Sequence, residues 1–151
     1  MYAKLSPATP DIGTTASAVE QAGADGLSLV NTMRGIVLDD ELLPRLGTVT
    51  GGLSGPALKP VALAAVYLAR RATDLPIVGM GGIQTGRDAL EFLAVGATSV
   101  ALGTVLFADP GAPARIRAEV AGSIHAADNH QVHLDSCQIR KPLQIGQNEA
   151  V

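Results

Sequence analysis

Several residue types are scarce in this chain of 151 residues, which contains one cysteine, no tryptophan and four other aromatic residues. The single cysteine, Cys137, excludes a disulfide framework within the chain and is typical of a reducing, cytoplasmic location. The longest apolar run, residues 61–69, is too short for a transmembrane helix of about 20 residues. Residues 1–7 lack the basic and apolar segments of a signal peptide. Eleven basic residues against 14 acidic ones give no basic surface for nucleic acid.

Apolar residues are abundant, at 47% of the chain, and they occur in short runs separated by glycine and proline. Each run ends in glycine or a small polar residue, which is typical of buried parallel strands that open into turns. We expect strands at residues 2–5, 27–30, 77–80 and 100–102.

Helical patterns lie between these runs. Asp11 is a candidate N-cap of a first helix that Gly23 ends. Pro60 suits the first turn of a second helix, because proline is tolerated there. Thr85 is a candidate N-cap of a third helix, which Gly96 ends.

The alternation of strands and helices predicts an α/β fold of about four βα units with parallel strands. A (β/α)₈ TIM barrel has about 250 residues, or roughly 31 per unit, so the chain corresponds to half a barrel. We expect the half barrel to occupy residues 1–121 and residues 122–151 to form an irregular tail. Residues 32–60 form a connection too long for an ordinary βα loop, which indicates a functional loop.

Two glycine turns follow the last two strands. Gly81–Gly82 allows close approach of a ligand to the backbone, and Gly103–Thr104 exposes amides before a short apolar segment. In (β/α)₈ barrels a phosphate site commonly lies at the loops after strands seven and eight. These turns therefore bind a phosphate group or serve only as tight turns, and glycine alone does not decide between the two.

Polar residues also follow the first two strands. Lys4 lies in an apolar context, where it meets an anion or an electron-rich ring, or else extends its ammonium into water as a surface lysine. Asn31–Thr32 offers an amide and a hydroxyl suited to a planar ligand with imide or carboxylate edges. The same pair also fits a plain strand cap.

Several longer motifs together resemble the C-terminal half of dihydroorotate dehydrogenase, most nearly the NAD-linked class 1B catalytic subunit. The long glycine motif that ends in Ser54-Gly55-Pro56 is the most specific of them. The motifs are Lys4-Leu5-Ser6-Pro7, Ala22-Gly23-Ala24-Asp25-Gly26, Asn31-Thr32, residues 50–60, Gly79-Met80-Gly81-Gly82-Ile83 and Gly103-Thr104. The resemblance covers residues 3–120.

This resemblance implies an FMN-dependent oxidoreductase that converts dihydroorotate to orotate in the de novo biosynthesis of pyrimidines (UMP). It assigns Asn31 and Thr32 to the pyrimidine substrate. It also implies a homodimer and an electron-transfer subunit with FAD and an iron–sulfur cluster. The residues it assigns to FMN are Lys4 and Val30 at the flavin ring, Gly55 in the long loop, and Gly81, Gly82, Gly103 and Thr104 at the phosphate.

One element of the family pattern is missing from the chain. In the family, a cysteine on a loop of the upstream half removes the substrate proton, and Cys137 does not match it. We therefore expect no catalytic residue here and an inactive isolated chain. Two alternatives stay open: a non-catalytic half barrel that needs a partner chain, and another FMN barrel of the dihydropyrimidine dehydrogenase type. His130, His133 and Cys137 share a helical spacing, but without paired cysteines we expect no metal site.

Overall fold

A computed structural model describes the backbone of residues 1–129 and the side chains of residues 1–124. A short 3₁₀ helix, Pro56–Leu58, precedes α2. The elements in chain order are β1 (Tyr2–Leu5), α1 (Ile12–Gln21), β2 (Gly26–Leu29), β3 (Met33–Gly35), β4 (Gly51–Leu53), α2 (Lys59–Ala72), β5 (Ile77–Gly79), α3 (Gly86–Ala94), β6 (Ser99–Val100), α4 (Val105–Ala108) and α5 (Ala112–Asn129).

The main sheet has four parallel strands in the order β1-β2-β5-β6. The predicted α/β class, the parallel strands and the four βα units are confirmed, and this arrangement is consistent with part of a TIM barrel. Within residues 1–129 the sheet does not close into a barrel, so β1 and β6 are its edges. None of the helices in this part of the chain is long and apolar enough to cross a bilayer.

One face of the sheet packs on the helices and forms the core. Leu27, Leu29 and Ile77 are fully buried there, together with Phe92 of α3. On α2 the buried positions are mainly alanines, whose small side chains let the helix lie close to the sheet. Side chains alternate between faces along a strand, so the residues between the core positions face the other way.

Helix ends follow the expected local chemistry. The Asp11 carboxylate accepts hydrogen bonds from the amides of Gly13 and Thr14 at the start of α1. Thr85 and Asp88 form a reciprocal capping box at the start of α3. Both predicted N-caps are therefore confirmed.

The structure adds one feature that was not predicted and corrects one expectation. The long loop contains an antiparallel hairpin of β3 and β4, which pairs Met33 with Leu53 and Gly35 with Gly51. The segment predicted to be irregular from residue 122 begins instead with helix, because α5 continues to residue 129. Earlier in α5, Ala112 and Ile116 are buried and Val120 packs on the core, and the helix continues from these anchored turns into the segment predicted to be irregular, since each added residue of a formed helix gains a hydrogen bond. The remaining residues, including His130, His133 and Cys137, lie outside the described part of the chain.

Candidate functional site

A cleft of about 310 Å³ lies at the carboxyl ends of the parallel strands. Open α/β sheets bind ligands at this end, because the loops that follow the strands converge there. All four strands of the sheet contribute to its lining, and the loop before α2 forms a further wall. The nine residues predicted for the site all line this one cleft: Lys4, Val30, Asn31, Thr32, Gly55, Gly81, Gly82, Gly103 and Thr104.

Backbone pairing beyond the strand ends aligns these loops. The amide of Val30 donates to the carbonyl of Met80 at 2.9 Å, and the amide of Asn31 donates to that of Leu5 at 3.0 Å. At the next strand pair, Ala101 donates to Gly79 at 2.9 Å. The parallel hydrogen-bond pattern therefore continues past the strand ends. It aligns the residues that enter the cleft with one another across neighbouring strands.

The turn after β5 requires glycine. Gly82 has φ +78°, and a Cβ added there would lie 2.6 Å from the Gly55 carbonyl oxygen and 3.0 Å from the Lys59 nitrogen. A side chain at this position would therefore force two backbone segments apart. This contact brings the turn directly against the loop that precedes α2.

The amides of the two glycine turns, Gly81–Gly82 and Gly103–Thr104, donate no hydrogen bond to an acceptor among residues 1–124. The neighbouring amides of Gln84 and Thr85 instead donate to Asp88, and the amide of Gly86 donates to Glu119. The start of α3 is thus occupied by the protein's own carboxylates. The backbone amides of the two glycine turns are therefore among the donors available to an anion in the cleft.

Lys4 contributes a positive charge to the cleft wall. Its ammonium donates to the Sδ atom of Met80 at 3.1 Å, and Ser28 Oγ lies 3.8 Å from the same sulfur. A thioether is a weak acceptor and carries no charge. No carboxylate in the described part of the chain pairs with Lys4, so its charge is available to an anionic or electron-rich ligand.

Asn31 and Thr32 lie where the chain leaves β2, and both are exposed. Neither side chain makes a hydrogen bond to another of residues 1–124. Gly52 of β4 packs closely on Thr32, since a Cβ added to Gly52 would collide with Thr32 Oγ1. The hairpin therefore packs against the hydroxyl side of Thr32, while the Asn31 amide group has no hydrogen-bond partner among residues 1–124.

Sequence reasoning left out several residues of the lining. Most of them form apolar or backbone wall. Ser54, Pro56 and Leu58 lie in the glycine motif of residues 50–60, and Met80 and Ile83 lie in the motif around Gly81–Gly82, so these five had a signal in the sequence. The lining residues not predicted are Ser54, Pro56, Leu58, Met80, Ile83, Gln84, Ala101, Leu102, Val105 and Ala108.

A charged cluster lies beside the glycine turn. Lys59 at the start of α2 donates to Asp88 Oδ1 at 2.6 Å and to Glu91 Oε2 at 2.9 Å. Burial acts to raise the pKa of Asp88, but hydrogen bonds from Lys59, Gln84 and Thr85 outweigh it and lower that pKa to about 2. Hydrogen bonds to Asp88 and Glu91 raise the pKa of Lys59. All three side chains are therefore charged at neutral pH.

Comparison with known proteins gives a consistent result. Residues 1–124 match the family model described as dihydroorotate dehydrogenase. The chain is similar to the dihydroorotate dehydrogenase B (NAD(+)) catalytic subunits of three bacteria. It is 52% identical to that of Citrifermentans bemidjiense over 121 residues, which are 80% of this chain and 40% of the relative. It is 53% identical to that of Geobacter sulfurreducens over 127 residues, which are 83% of this chain and 41% of the relative. It is 54% identical to that of Desulforudis audaxviator over 121 residues, which are 80% of this chain and 39% of the relative. The chain therefore spans about two fifths of the length of the relatives it matches.

Proposed function

The chain belongs to the dihydroorotate dehydrogenase family, and from this membership we propose that its cleft binds FMN and the pyrimidine substrate of dihydroorotate oxidation. One observation carries the proposal. Nine residues chosen for these two ligands come from separate parts of the sequence, between residues 4 and 104, and all line the same cleft.

The proposed binding of FMN depends on how well the groups that line the cleft match the groups of the cofactor. The unused amides of Gly81–Gly82 and Gly103–Thr104 suit a phosphate, because several N–H groups directed at one anion stabilise it strongly. Lys4 would place its ammonium beside the flavin ring, where it would balance negative charge near N1. Val30 would contact the ring through its backbone, and Gly55 would lie against the cofactor.

The substrate half depends on Asn31 and Thr32. Their amide and hydroxyl groups can both donate and accept, which complements the imide and carboxylate edges of a pyrimidine. FMN, when bound, supplies a hydride acceptor for the oxidation of dihydroorotate to orotate. The residues of this chain would bind and orient the substrate for that reaction.

Proton removal from the substrate requires a base that we assign to residues outside this chain. Residues 1–129 contain no cysteine. The relatives are much longer than the chain, and their additional residues have room for such a base. We therefore propose that the chain carries binding groups for cofactor and substrate and that the isolated chain is inactive.

Flavin retention tests the cofactor assignment. The chain is incubated with FMN and passed through gel filtration, and flavin absorbance should elute with the protein. Lys4→Met should retain less flavin, while the exposed Arg87→Met outside the cleft should retain as much as the wild type. Colourless wild-type protein would contradict FMN binding. Anaerobic dihydroorotate should leave the bound flavin oxidised, and bleaching would contradict the absence of a base.

A second candidate function is a half barrel that acts only with a partner chain. The edge strands β1 and β6 have no further strand partner within residues 1–129, and the hairpin loop exposes apolar side chains such as Leu42 (76% exposed) and Leu43 (60%). Unpaired edges and apolar surface favour association with another chain. Flavin retention only after mixing with a separately expressed remainder of a relative would support this candidate. Retention by the monomer would contradict it.

The relatives are named as catalytic subunits, and this name supports a proposal about protein partners of the chain. A catalytic subunit implies another subunit, and we propose that in this family it carries FAD and an iron–sulfur cluster for electron transfer to NAD. A homodimer of the catalytic subunit belongs to the same proposal. Sedimentation of the protein alone and with that subunit would test both associations.

A further inference from the structure

Lys59 does not line the cleft, yet it lies between two of its walls. It is the first residue of α2 and follows the 3₁₀ helix that connects α2 to Gly55. Its side chain is 28% exposed, and its ammonium is held by Asp88 and Glu91 on α3. A lysine bound to two carboxylates in this way loses much of its conformational freedom.

Asp88 extends this link to the glycine turn. While Oδ1 accepts from Lys59, Oδ2 accepts from the amides of Gln84 and Thr85, each at 2.9 Å. The Asp88 side chain is only 13% exposed. One carboxylate therefore connects the start of α2 with the backbone that continues directly from Gly81–Gly82.

The same two walls also touch through their backbones. A Cβ on Gly82 would lie 2.6 Å from the Gly55 oxygen and 3.0 Å from the Lys59 Cβ, so no spare space separates the turn from the loop. Among residues 1–124, Lys59 makes the only hydrogen bonds between residues 54–59 and residues 80–91. Without Lys59, packing alone would set the spacing of the two walls.

We propose that Lys59 is a positioning residue that holds the Gly81–Gly82 turn against the Gly55 loop and thereby sets the affinity of the turn for the cofactor phosphate. The inference rests on the proposed function, since it assigns the phosphate to this turn. A shift of the turn should weaken FMN, which carries the phosphate, more than riboflavin, which lacks it. A residue that only stabilised the fold would weaken both flavins to the same extent.

The test compares dissociation constants for FMN and riboflavin, measured by flavin fluorescence with the full chain. Lys59→Met should raise the FMN constant about tenfold and the riboflavin constant by less than about threefold. Lys59→Arg, which keeps the charge and donors, should recover most of the FMN affinity. Arg87→Met is the matched control, because Arg87 pairs with the same Glu91 at 3.4 Å but is 82% exposed and has no link to α2. If Lys59→Met does not fold, Lys59→Gln replaces it.

An unchanged FMN constant, or equal losses for both flavins, would overturn the inference while leaving the proposed function intact. If the wild-type chain binds no FMN, the proposed function fails, and amide hydrogen exchange without flavin then decides the positioning role. Exchange in residues 53–58 and 80–86 should rise in Lys59→Met and return to the wild-type rate in Lys59→Arg. Equal exchange in wild type and Lys59→Met would overturn the inference.

Discussion

Replacing Asp88 by asparagine should remove an acid-sensitive part of the stability of this fold. Burial of the carboxylate acts to raise its pKa, but the hydrogen bonds from Lys59, Gln84 and Thr85 prevail and lower the pKa from 3.8 to about 2. Asparagine keeps an acceptor for the two amides, so the variant should still fold. It cannot carry the charge that Lys59 neutralises.

The size of the contribution of Asp88 to the free energy of unfolding follows from the linkage between protonation and folding. Each pKa unit corresponds to about 1.4 kcal/mol, so a change from 3.8 to about 2 is equivalent to roughly 2 kcal/mol. Because the pKa is depressed in the folded state, this stabilisation is complete above the unfolded value. It is lost as the pH falls from about 5 towards 2, where the folded carboxylate takes up its proton.

Urea denaturation at several pH values measures this effect. Far-UV circular dichroism is the suitable signal, because the chain has no tryptophan. The difference in unfolding free energy between wild type and Asp88→Asn should shrink by about 2 kcal/mol across that pH range. Asp74→Asn, at an exposed aspartate between α2 and β5, serves as the control for loss of one carboxylate. A difference that stays constant with pH would refute the assigned role of the Lys59 and amide hydrogen bonds.

Three further substitutions, with Gly103→Ala as a control, test the site and its support. Gly82→Ala should destabilise the fold by about 2 kcal/mol or more in urea denaturation, because residue 82 has a positive φ and the new Cβ would clash with the Gly55 oxygen. Gly103→Ala should have little effect, because its added Cβ meets nothing within 4 Å. Thr85→Ala should cost about 1 kcal/mol through loss of the α3 cap, and an unchanged midpoint would contradict the cap. Lys4→Met should weaken FMN in fluorescence titration without lowering the melting temperature, because the side chain is exposed; equal affinity would contradict a role at the flavin ring.

Elements that depend on short-range signals could be predicted from the sequence. Asp11 and Thr85 are caps because their side-chain oxygens reach amides two or three residues later, and such spacing is visible in the chain itself. Strands β1, β2 and β5 each bury apolar residues, so apolar runs mark them. The convergence of the glycine turns follows from topology, since parallel strands place their carboxyl ends at one edge.

Other features depend on contacts that the sequence does not display. The hairpin strands have three residues each and contain Gly35, Gly51 and Gly52, so they lack both alternation and β propensity. Pairing with each other, rather than local preference, makes them strands. The link from Lys59 to Asp88 spans 29 residues, and only the packing of α2 beside α3 brings the two charges together.

The face of the sheet that points away from the helices explains how ligand binding and catalysis can belong to different parts of the protein. Lys4 and Ser28 are register partners, and Ser28 is the partner of Val78, so one row of side chains faces away from the helices. In a complete barrel such a row is enclosed by the remaining strands. The two glycine turns proposed to bind phosphate, by contrast, lie wholly within residues 1–124, and Gly82 packs against Gly55 and Lys59. Under the proposed function, the phosphate site would therefore belong to this chain, whereas enclosure of the flavin ring and proton removal would require the additional residues of the longer relatives. Flavin retention should accordingly persist in this chain at reduced affinity, and activity should require the additional residues of its longer relatives.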